Sequence, residues 1–136
     1  MATASVPQAP QVLASQSAPQ SVARVAGVIA VRELELKTGV TEATFERFVR
    51  EEYLPAWNVP GMRVRIMKGD RGSRAGLYLH LFEFESVETR DRYFPPPEGS
   101  GASDEFRRYA QSLAPVIEKL WSLAVLPSGY TDYVEL

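Results

Sequence analysis

The sequence predicts an α+β domain built on one antiparallel sheet, and three observations lead there. Along Leu77–Phe84 aliphatic side chains (Leu77, Leu79, Leu81) alternate with Tyr78, His80, Phe82 and Phe84. As a strand this stretch is apolar on both faces and belongs inside a sheet covered on both sides. Two stretches, following Thr41 and Ser103, carry apolar residues at helical spacing instead. Strand and helix patterns then alternate as β-α-β-β-α-β, an order that folds into one antiparallel sheet with both helices on one face.

Each element has its own warrant. Val25–Lys37 alternates as a strand, with Val31, Glu33 and Glu35 on one side and Ala30, Arg32, Leu34 and Leu36 on the other, and Gly39 breaks it. Thr41 is a good N-cap, Glu42 suits the first turn, and Phe45, Phe48, Val49, Tyr53 and Ala56 follow on one helical face. Pro55 limits that helix, and Trp57–Gly61 turns out of it. Met62–Lys68 is a second strand, joined to the third by the glycine-rich hairpin Gly69–Gly76. Ser86 caps a short helix over Val87–Phe94, which Pro95, Pro96 and Pro97 end. From Ser103 an apolar stripe runs through Phe106, Tyr109, Leu113, Ile117 and Leu120 to Ala124, with a kink or restart expected at Pro115. Tyr130–Leu136 is a last strand.

A chain of 136 residues fits one domain, residues 24–136, preceded by a tail. Residues 1–23 are Ala, Ser, Gln, Pro and Val, with Arg24 the first charge, and read as a flexible tail or a docking arm. Pro7, Pro10 and Pro19 interrupt them, so no signal peptide is expected. Charged residues are 24% with a net charge of −2 and no acidic or basic block, which argues against a nucleic-acid partner. The absence of cysteine excludes disulfides, thiolate nucleophiles and thiolate zinc sites. No apolar run approaches the roughly 20 residues of a membrane span, so no membrane partner and a cytoplasmic location are expected.

The helix-covered face is expected to carry Leu34, Leu36, Met62, Val64, Ile66, Leu77, Leu79, Leu81 and Val134. The opposite face then carries Val31, Glu33, Glu35, Arg63, Arg65, Met67, Tyr78, His80, Phe82, Phe84, Thr131, Tyr133 and Glu135. Left in water its aromatics form a patch that monomers avoid, so a second copy packing sheet to sheet is the expected partner.

The chain resembles the dimeric α+β barrel superfamily, whose fold is ferredoxin-like. The resemblance rests on Val31–Thr41 (strand, turn and helix cap), on Glu51–Gly61 (helix end and Pro-Gly turn), and on Leu81–Glu88 (strand end and helix cap), and covers about residues 25–136. It implies a homodimer. It does not choose among cofactor-free monooxygenases, polyketide cyclases, haem-degrading monooxygenases and members without known activity.

His80, the single histidine, falls mid-strand on the face expected to line the inter-sheet cavity, with Tyr78 two residues away. His80 as base and Tyr78 as orienting hydroxyl suit a cofactor-free cyclase or monooxygenase; a hydrogen-bonded core histidine fits the same position. Arg63 and Arg65 suit a carboxylate or enolate, Glu33 a base or an ion pair, Phe82 a wall and Trp57 a pocket mouth. No cofactor is expected, and a multi-histidine metal site is impossible. Three functions follow: a homodimeric barrel binding a small, largely apolar organic molecule, an enzyme using His80, or an interaction protein docking through residues 1–23.

Overall fold

The structure, a computed structural model, describes residues 27–136. The expected tail or docking arm, and the start of the expected first strand, lie outside the described residues. Strands β1 (Val28–Leu36), β2 (Met62–Lys68), β3 (Tyr78–Phe84), β4 (Ala124–Val125) and β5 (Thr131–Val134) form one five-stranded sheet. All its pairings are antiparallel. β3 lies between β2 and β1, and the far edge of β1 pairs with β5 at its start and β4 at its end. The class is α+β, as the strand and helix patterns predict. The short β4 is not foretold, because Ala124 closes the apolar stripe of the preceding helix.

Three of the described helices begin where hydroxyl side chains take up free backbone N–H groups. Helix α1 starts at Thr41, whose Oγ1 accepts from the Thr44 N–H at 3.1 Å. It runs Glu42–Phe48, widens into a π-helical turn over Val49–Tyr53 and finishes at Leu54–Ala56. The Leu54 N–H reaches back to the Val49 carbonyl. Pro55, which has no N–H to donate, sits in the last turn, and Trp57 is already extended. Helix α2 (Val87–Tyr93) is capped by Ser86, and α3 (Asp104–Gln111) by Ser103. The chain restarts after Ser112 as α4 (Ala114–Leu123), with Pro115 in its first turn, where its missing N–H costs nothing.

All the helices send side chains into the same side of the sheet. One cluster joins Leu34, Phe45, Phe48, Tyr53, Val64, Tyr78 and Leu120, and a second joins Val28, Val59, Phe84, Tyr93, Phe106 and Leu113. Register fixes which face of β3 this is. Leu34 stands opposite Tyr78, Arg32 opposite His80, Ala30 opposite Phe82, and Val28 opposite Phe84. On the other flank Val64 meets Phe82 and Ile66 meets His80.

The expected face of β3 is therefore reversed. Tyr78, His80, Phe82 and Phe84 point to the helices, while Leu79 and Leu81 join Val31, Glu33, Arg65 and Met67 on the open face. The physical reason is volume. The gap between sheet and helices is filled by rings packed edge to face, as Phe45 on Tyr78 at 5.0 Å and Trp57 on Phe82 at 5.3 Å. The other strands keep their expected faces: Leu34, Met62, Val64 and Ile66 pack with the core, and Thr131 and Tyr133 pair with Val31 and Ile29.

The hairpin between β2 and β3 closes at Gly69, whose N–H bonds the Leu77 carbonyl at 2.8 Å. A Cβ there would stand 2.0 Å from the Arg74 carbonyl oxygen, so only glycine fits. No described helix is long and apolar enough to cross a membrane.

Candidate functional site

A cavity of about 710 Å³ opens on the helix side of the sheet. Its floor is Ala30 and Arg32 of β1 with Phe82 and Phe84 of β3, and its rim is Tyr130–Asp132. Its roof is the segment from Phe94 through Ala102 that links α2 to α3. The sequence explains the space. Ala30 is a small side chain in the row of Val28, Arg32 and Leu34, and beyond Phe94 the roof is a Pro/Gly/Ser loop with no aromatic or large aliphatic side chain.

Arg32 is the notable group in this wall. Its guanidinium carbon lies 5.4 Å from the centre of the Tyr130 ring and 6.0 Å from that of Phe82. Its Nε is buried and has no hydrogen-bond partner. Among the described residues no carboxylate forms an ion pair with it. Arg90, also in the wall, is fully engaged: it bonds Asp91 at 2.8 Å and pairs with Asp132 across to β5. These bonds hold its pKa above the ordinary value.

Beside Phe82 on β3, His80 is 5% exposed, and its Nε2 lies 2.8 Å from the Tyr53 hydroxyl. The π-helical turn of α1 carries Tyr53 to this position. Burial, with Arg32 next to it, lowers the His80 pKa from 6.5 to about 4, so the ring is neutral at pH 7. Burial likewise pushes the Tyr53 phenol up. The folded-state pKa of His80 is depressed, so its share of stability is complete above pH 6.5 and is lost as pH falls toward 4. The loss approaches roughly 3 kcal/mol once pH is well below the folded value. Urea unfolding at pH 7.5 and 5 should show part of this loss, and His80→Gln should remove it. An unchanged pH slope in that variant would contradict the assignment.

Tyr78 lies at the other end of β3. Its hydroxyl donates to Glu46 at 2.6 Å, and Lys68 donates to the same carboxylate at 2.9 Å. The Tyr78 bond, then Lys68, holds the Glu46 carboxyl down to about 2.

The expected site residues are thus divided between two faces. Phe82 lines the cavity and Trp57 packs on its ring. His80 and Tyr78 are buried on the same side, each bonded to a helix residue rather than to open space. Arg63, Arg65 and Glu33 lie on the opposite face and share no cavity with His80. Glu83 pairs with Arg65 at 2.8 Å and with Arg63 at 3.5 Å, and Arg74 pairs with Glu33 at 3.3 Å. Arg32, Tyr130, Phe94 and Tyr53 were not singled out in the sequence. The one available signal was a lone cation, Arg32, in the otherwise apolar row Ala30, Leu34, Leu36. No group of three or more His, Asp or Glu among the described residues is placed to hold a metal ion.

No protein-family model matches the chain, and a search of curated proteins returns no match.

Proposed function

We propose that the protein is a homodimeric, ferredoxin-like α+β barrel in which each subunit binds a small, largely apolar organic molecule. The observation that carries the binding reading is the cavity of about 710 Å³ floored by Phe82 and Phe84 and rimmed by Tyr130. Its size and its aromatic floor and rim, set among charged side chains, suit an organic ligand. The proposed site is within the subunit, between sheet and loop, and not between two sheets.

The dimer reading is supported by the open face. Ile29, Val31 and Leu79, all half-buried, share it around the buried Leu81, as does Met67, which is 45% exposed. Arg63, Arg65 and Glu33 on that face already have ion-pair partners in their own chain, so a second sheet can cover it without stranding them. His80 as a catalytic base finds no such support, because it is buried against Tyr53 and forms no part of the cavity wall.

Native mass spectrometry of the protein taken from its own host tests both parts. A dimer carrying one small organic molecule per subunit is expected, and Ala30→Leu, which fills the floor, should keep the dimer and shed the added mass. A ligand-free monomer would contradict both parts. A dimer whose bound mass survives in a folded Ala30→Leu protein would contradict the site.

A further inference from the structure

We propose that the cavity selects an aryl monocarboxylate, with Arg32 holding the carboxylate. This rests on the cavity being a ligand site and adds the class of ligand. Arg32 stands half-buried in the cavity wall, and among the described residues no carboxylate offsets its charge, which an anionic ligand would do. The Arg32 guanidinium carbon lies over the Phe82 and Tyr130 rings, 6.0 and 5.4 Å from their centres, within reach of cation–ring attraction. Its N–H donors radiate in the plane, where a carboxylate accepts two of them side by side. Its Nε is enclosed by protein, so the carboxylate would be held through the terminal amino groups of the guanidinium. The remaining walls, Phe84 and Phe94, suit a flat hydrocarbon body.

The other charges around the cavity restrict the ligand to one negative charge. Arg90 is neutralised by Asp91 and Asp132, so it offers no second anion site. Glu98 adds a further carboxylate to the wall; burial and then this neighbouring charge raise the Tyr130 phenol pKa. A second carboxylate on the ligand would meet Asp132 or Glu98.

The test compares 2-naphthoate with 2-naphthamide, which has the same shape and no charge, by calorimetric titration of the full chain. Naphthoate should bind about tenfold or more tightly than the amide, the range of a charge-assisted bidentate contact. The preference should vanish in Arg32→Met and survive in part in Arg32→Lys. Should Arg32→Met fail to fold, the wild-type ratio and the lysine variant still decide. His80, beside Arg32, is an independent reporter: bound naphthoate neutralises Arg32 and should move the His80 titration upward by NMR. Equal binding of acid and amide to the wild type would overturn the carboxylate assignment and leave the apolar cavity standing. Binding of neither would overturn both, and tight naphthoate binding with an unmoved His80 would place the acid away from Arg32.

Discussion

Replacing Phe84 with alanine is expected to cost the domain about 3–5 kcal/mol, the range for a buried phenylalanine. Phe84 is 2% exposed and packs on Phe82 and Phe94, with ring centres 6.3 and 6.0 Å apart. The ring is held between these two neighbours in the buried cluster, so the cavity left behind has little freedom to collapse. For a domain of this size the loss lowers the melting temperature by more than about 10 °C. Leu77→Ala is the matched control. Leu77 is 40% exposed beyond the edge of the core, and its truncation should cost less than about 1 kcal/mol. Denaturant midpoints of the two variants read the orientation of β3 directly. The reverse ranking would mean that the leucines, not the rings, face the helices.

Leu79→Asp is expected to split the dimer while each subunit stays folded. Leu79 stands between Glu33 and Met67 in the register of the open face, the middle of the surface proposed to meet its copy. A carboxylate there must be desolvated in both subunits when the sheets close, a cost of several kcal/mol. The dissociation constant should therefore rise by about two orders of magnitude or more. Light scattering at micromolar concentration should show a dimer for the wild type and a monomer for the variant, with unchanged far-ultraviolet circular dichroism. A variant that remains dimeric would remove the open face from consideration as the interface.

The elements that depend on neighbouring residues were legible in the sequence. Thr41, Ser86 and Ser103 cap helices because a hydroxyl reaches N–H groups three residues on, and Pro115 restarts a helix because it has no N–H to give. The orientation of β3 was not legible, since both of its faces are apolar and alternation alone does not say which one the helices cover. Cross-strand register with Leu34 and Val28 decides it, and that is a long-range property. The same reversal moved His80 and Tyr78 away from Arg63 and Arg65. It left the cavity to residues that sequence spacing does not connect: Arg32, Phe94 and Tyr130 come from a strand, a helix end and a C-terminal loop. What makes Arg32 distinctive is the lack of a carboxylate near it among the described residues, and no local pattern records a missing partner.

The most direct test of the account is an NMR measurement of intermolecular nuclear Overhauser contacts between 2-naphthoate and the protein. Contacts to the ring protons of Phe82, Phe84 and Phe94 are predicted, because these residues form the floor and roof of the cavity. Contacts to Val31, Leu79 and Met67 instead would put the ligand on the open face of the sheet and contradict it.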